Sequence, residues 1–121
     1  MKNFINISDL SKEELRIIID KAKARKKKRS SLNKNAIDHD NLLDGKILIM
    51  IFEKPSTRTR ISFDLAVKQL GGKTLTLSPE EIHYGSGDES IYDTSKTLSQ
   101  YADIVMMRTY EHKKILKFSK H

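Results

Sequence analysis

The sequence predicts a layered α/β/α domain on a parallel sheet, and three observations carry that prediction. The run Ile47–Phe52 is wholly apolar, as suits a strand covered on both faces. Residues 104–107, Ile-Val-Met-Met, form a second such run. Segments with helical spacing of apolar side chains alternate with these strands, and that alternation calls for crossover connections in a parallel sheet.

The elements follow in order. Ser11 and Glu14 have the spacing of a capping box, and Leu10 and Leu15 are placed for a hydrophobic staple. Leu15, Ile18, Ile19 and Ala22 then make one apolar stripe, the expected core face of the first helix. Residues 30–44 are polar and read as a loop leading to Gly45 and the first strand. A second helix is predicted from Thr57 or Arg58 to Leu70, ended by Gly71 or Gly72 in a left-handed conformation. Lys73–Leu77 alternates and carries β-branched threonines, so it reads as the next strand. Residues 78–89 are expected to form a loop. A third helix is expected from Ser90 to about Tyr101, with Ile91, Thr94, Leu98 and Tyr101 on one face. Strand 104–107 is expected to be buried, with Arg108 at its carboxyl end, and a fourth helix is expected from near Glu111.

The chain has 121 residues and a formal net charge of +7. That length suffices for one modest domain with a real core. Residues 21–29 contain seven basic side chains and no aromatic one for base stacking. They lie late in the first helix, where cations complement the helix dipole, so they read as a solvated helix end and not as a nucleic-acid surface. No apolar run approaches the ~20 residues that cross a bilayer, and no secretory signal is evident. A cytoplasmic location is expected. Cysteine is absent, and His39, His83, His112 and His121 are scattered without metal-ligand spacing, so no metal and no cofactor is expected.

The chemistry concentrates after the first strand. Pro55 is followed by Ser56-Thr57-Arg58-Thr59-Arg60, where the second helix begins. Free backbone N–H groups and the positive end of the helix dipole meet there. Two hydroxyl residues and Arg58 add directed donors, which together suit an anion with several oxygens, above all phosphate. Parallel strands would bring Arg108 to the same crevice, although it lies fifty positions beyond Arg58.

The segment from Phe52 to Asp64, with Gly71-Gly72 following, resembles the carbamoyl-phosphate signature of the aspartate and ornithine carbamoyltransferases. The resemblance implies that Ser56, Thr57, Arg58, Thr59 and Arg108 bind carbamoyl phosphate, with Arg58 and Arg108 catalytic. Arg60 is expected to hold the turn through an internal ion pair. The implied reaction is attack of an amine on the carbamoyl carbon with loss of phosphate. Lys54, where aspartate-type enzymes carry an acidic residue, and the Met106-Met107-Arg108-Thr109 segment look ornithine-like, which makes ornithine the implied partner substrate and citrulline the product. The aspartate-type activity and a non-catalytic phosphate-binding or interaction module are the alternatives. His83 stands where many ornithine enzymes have Gln for a contact across subunits. The resemblance further implies that residues 1–121 are a partial carbamoyl-phosphate-binding domain, without the amine-substrate domain, of a protein that assembles as a homotrimer.

Overall fold

The computed structural model describes residues 3–78, 88–110 and 112–119, with the backbone alone at 88–92 and 114. Residues 1–36 and 37–121 form two compact units. In the first, Ser11 opens α1 (Lys12–Lys28) as the sequence predicts. The Glu14 N–H donates to Ser11 Oγ at 3.0 Å, and the Ser11 N–H donates to Glu14 Oε1 at 3.0 Å. The apolar stripe differs from expectation: Ile18 and Ile19 are 53% and 46% exposed. The described part of this unit holds one long helix and two short 3₁₀ turns, Ile7–Asp9 and Arg29–Ser31, so no second layer covers the stripe within it. Arg29 also departs from the solvated basic run. Its guanidinium folds back onto the loop and donates to the Ala36 carbonyl at 2.8 Å.

The second unit is organised by β1 (Ile47–Phe52), which has no polar side chain and so gains from cover on both faces. It lies between β2 (Lys73–Leu77) and β3 (Ile104–Arg108), parallel to both, in the order β2-β1-β3. Met50 and Ile51 are completely buried. Asp103 secures the start of the β1–β3 pair: its Oδ2 accepts from the Ile47 N–H at 2.9 Å, and its own N–H donates to the Ile47 carbonyl at 3.0 Å. The pleat sends alternate β1 side chains to opposite faces. Leu48 and Met50 pack with Val67 of α2 (Thr57–Gln69). Ile49 and Ile51 pack on the other face with Leu98 of α3 (Asp88–Ser99) and Phe118 of α4 (His112–Ser119). Helices on both faces of a parallel sheet are the predicted α/β/α layering.

Two expectations need correction. α3 begins two residues before Ser90 and ends before Tyr101, which is 67% exposed. Its described buried face runs through Ser95 and Leu98, since Ser95 Oγ donates to the Phe118 carbonyl at 3.3 Å and Leu98 packs against the β1 isoleucines; the Ile91 side chain lies outside the described residues. β3 is half-buried and not fully covered, since it is an edge strand among the described residues. Of the two glycines after α2, Gly71 takes the left-handed conformation, with φ of +93°. Gly72 serves close approach instead: a Cβ there would come within 2.8 Å of Val67 Cγ1.

Candidate anion-binding site

β1 and β3 end side by side, with Phe52 paired to Arg108. The chain leaves β1 under tight constraint. The Glu53 N–H donates to the Arg108 carbonyl at 2.9 Å, and the Lys54 N–H reaches the same oxygen at 3.3 Å. Thr109 Oγ1 donates to Glu53 Oε2 at 3.1 Å, so side chains link the two strand ends as well. The turn then delivers Ser56 to the N-cap of α2. In a doubly wound sheet, ligands bind outside the carboxyl ends of the strands, beside the point where the connections diverge to opposite faces. Here that point is the β1–β3 junction.

Ser56, Thr59 and Arg108 form one hydrogen-bonded cluster there. The Thr59 N–H donates to Ser56 Oγ at 3.3 Å, capping the helix. The Ser56 hydroxyl donates to Thr59 Oγ1 at 2.8 Å, and Arg108 Nη1 donates to the same oxygen at 3.3 Å. Because Thr59 Oγ1 accepts twice, its own proton is left to donate outward. Arg108 also keeps a buried Nε with no hydrogen-bond partner among the described residues. A charged donor left in that state is costly unless a ligand completes it.

The remaining predicted residues are placed less tightly. Thr57 and Arg58 are exposed, and the Arg58 side chain makes no hydrogen bond or ion pair among the described residues. Ser56 and Thr57 line an open cleft of about 500 Å³ together with Arg60, facing Thr76 and Ser78 at the end of β2. The expected ion pair of Arg60 is absent among the described residues. Its positive charge contributes instead, as the smallest of four favourable effects, to lowering the carboxyl of Asp64. The Thr74 hydroxyl bonded to that carboxyl is the largest cause, and Lys68 at 3.2 Å adds to it.

The sequence offered no signal for the Glu53–Thr109 link or for the stacking of Lys54 Nζ 5.9 Å from the Tyr110 ring centre, since each joins residues more than fifty positions apart. His83 lies outside the described residues. Among the described residues no cluster of three His, Asp or Glu could hold a metal ion, and no helix is long and apolar enough to cross a membrane.

The family model of the aspartate/ornithine carbamoyltransferase carbamoyl-phosphate-binding domain matches residues 2–121. The chain belongs to that family. It is 44% identical over its full length to the ornithine carbamoyltransferase of Cereibacter sphaeroides, of which it covers 39%. Its fold is similar to the ornithine carbamoyltransferase of Pyrococcus furiosus, with a TM-score of 0.83 and 39% identity over 98% of this chain and 36% of that one. It is also similar to the catalytic subunit of M. jannaschii aspartate transcarbamoylase, with a TM-score of 0.76 and 37% identity over 98% of this chain and 38% of that one. The chain thus spans about two-fifths of the length of these relatives.

Proposed function

We propose that this chain is the carbamoyl-phosphate-binding part of an ornithine carbamoyltransferase. The observation that carries the reading is the cluster of Ser56, Thr59 and Arg108 at the junction of two parallel strands, beside the N-terminus of α2. The amides opening α2 and the Ser56 and Thr57 side chains would hold the phosphate, with Arg58 adding charge. The outward proton of Thr59 would donate to the carbamoyl oxygen, and the Arg108 guanidinium would donate to both that oxygen and the phosphate. As the ornithine amine adds to the carbamoyl carbon, negative charge grows on that oxygen. Donors fixed in advance stabilise it. The bond from carbon to the phosphate oxygen then breaks, phosphate leaves with the electron pair, and the amine loses a proton. Citrulline and phosphate result.

Ornithine is favoured over aspartate by Lys54 at the end of β1, by the segment around Arg108, and by the curated relatives, which carry the ornithine name. The aspartate reaction is the second reading, supported by the similarity to an aspartate transcarbamoylase. The active protein is expected to be a cytoplasmic homotrimer with sites between subunits. An assay of the full-length reading frame, offered ornithine and aspartate separately, tests this: citrulline is expected, and carbamoyl aspartate as the sole product would overturn the assignment. The 121-residue span alone is expected to bind the phosphate ligand without turnover. Holding two reactants together supplies up to ~7–11 kcal/mol of the barrier, and the remainder of the relatives' length is expected to hold the second one.

A further inference from the structure

β1 and β3 keep one register from Leu48 with Ile104 to Phe52 with Arg108, and Glu53 with Thr109 is the next pair in it. That pair is joined through side chains, Thr109 Oγ1 donating to Glu53 Oε2 at 3.1 Å. The last backbone bonds between the strands converge on the Arg108 carbonyl, from the Glu53 and Lys54 N–H groups. The Thr109 hydroxyl therefore adds a further rung where the backbone ladder stops. Among the described residues β3 has no strand on its other side, and the end of an edge strand frays unless something ties it.

Alternation along the strands separates this rung from the ligand. Phe52 and Met106 pack with Met50 on the α2 face, whereas Val105 and Met107 pack with Ile49 and Ile51 on the opposite one. Arg108 lies two positions after Met106, and its Nη1 reaches Thr59 of α2. Thr109 lies two positions after Met107, which assigns it to the face away from α2. It can act on the anion site only through the backbone that carries Arg108. Among the described residues the Arg108 guanidinium is held by one bond of 3.3 Å, and its buried Nε has no partner. Its direction thus depends on how firmly the end of β3 is fixed.

We propose that Thr109 is a positioning residue: by donating to Glu53 it fixes the end of β3 and so aims the Arg108 guanidinium at the anion held by the α2 N-terminus. This rests on the reading that Arg108 serves that anion. It gives a role in binding to a side chain that touches neither the phosphate nor the carbamoyl group.

The test is a double-mutant cycle of Thr109→Val with Arg108→Met, read by calorimetric titration of the 121-residue chain with inorganic phosphate. Valine keeps the shape of threonine and removes the donor. Thr109→Val should weaken binding about three- to tenfold in the wild-type background and by less than about twofold beside Arg108→Met, while Thr109→Ser stays within about twofold of wild type. A loss of stability would appear in both backgrounds, so the coupling is what separates positioning from a merely structural tie. Equal losses in the two backgrounds would mean that Thr109 does not act through Arg108, and the proposal fails. It fails too if Thr109→Val binds like wild type, or if Thr109→Ser binds as weakly as Thr109→Val; in both cases the anion site stands. If Arg108→Met alone binds like wild type, the reading of Arg108 is wrong and this role falls with it. Should Thr109→Val not fold, Thr109→Ala takes its place in the same cycle.

Discussion

Arg108→Met should cost the ligand and spare the fold. Among the described residues the Arg108 side chain makes one long hydrogen bond, 3.3 Å to Thr59 Oγ1, and its buried Nε has no partner. Hydrogen bonds to a charged group are worth about 1.5–3 kcal/mol net, so losing the bond to a phosphate ligand should weaken binding roughly ten- to a hundredfold. The fold has less to lose. The contacts that lock the β1 turn to β3 use the Arg108 carbonyl, which any side chain leaves in place. Methionine keeps the apolar stem of the side chain and removes an incompletely paired charge, a change that is often neutral or stabilising. Stability should therefore stay within about 1 kcal/mol of wild type. Urea unfolding and calorimetric titration with inorganic phosphate, both on the 121-residue chain, measure the two effects separately. A loss above about 2 kcal/mol of stability with phosphate affinity unchanged would refute the reasoning and make Arg108 a structural tie.

Gly71→Ala should destabilise the chain by about 1–3 kcal/mol in urea, because φ is +93° and the added Cβ would lie 1.7 Å from Asn41 Oδ1; an unchanged midpoint would mean that Asn41 moves freely aside. Asp64→Asn should lower stability at pH 6 and lose that effect in acid. The Thr74 hydroxyl, and after it Lys68, hold the Asp64 carboxyl below its ordinary value of 3.8, so the carboxylate's contribution is complete above that pH and fades as pH falls through the lowered value. A wild-type advantage that persists unchanged into strong acid would show that the effect is steric. The 121-residue chain should melt at low temperature with weak cooperativity, since Leu75 on β2 is 52% exposed and Ile104 on β3 is 44% exposed. A sharp, high-temperature transition in scanning calorimetry would contradict this.

Local chemistry was legible in the residues themselves. The capping box of α1, the end of α2 at Gly71 and the strand character of Ile47–Phe52 depend on neighbours a few positions away, and sequence reports such neighbours directly. The candidate anion site was proposed from the sequence for the same reason: its hydroxyls, its helix N-terminus and Arg58 are consecutive. The fifty-residue reach to Arg108 followed from the parallel topology that the alternating elements demand. Long apolar stripes were less informative. Leu15, Ile18 and Ile19 mark an amphipathic helix, but periodicity does not say what covers it. The burial of α3 likewise turned on Phe118 of α4, which placed Ser95 and Leu98 inward and left Tyr101 in solvent.

Sequence alone therefore determined the α/β alternation, the family and the residues that open α2, because each is written in spacing along the chain. Only the tertiary structure decided that Thr59 accepts from both Ser56 and Arg108, that Glu53 and Thr109 join the two strand ends, and that Arg60 borders a cleft without an ion pair among the described residues. Those facts depend on side-chain direction across separate elements. A few ångströms decide whether a guanidinium meets a carboxylate, a hydroxyl or open solvent, and residue order does not encode distances on that scale.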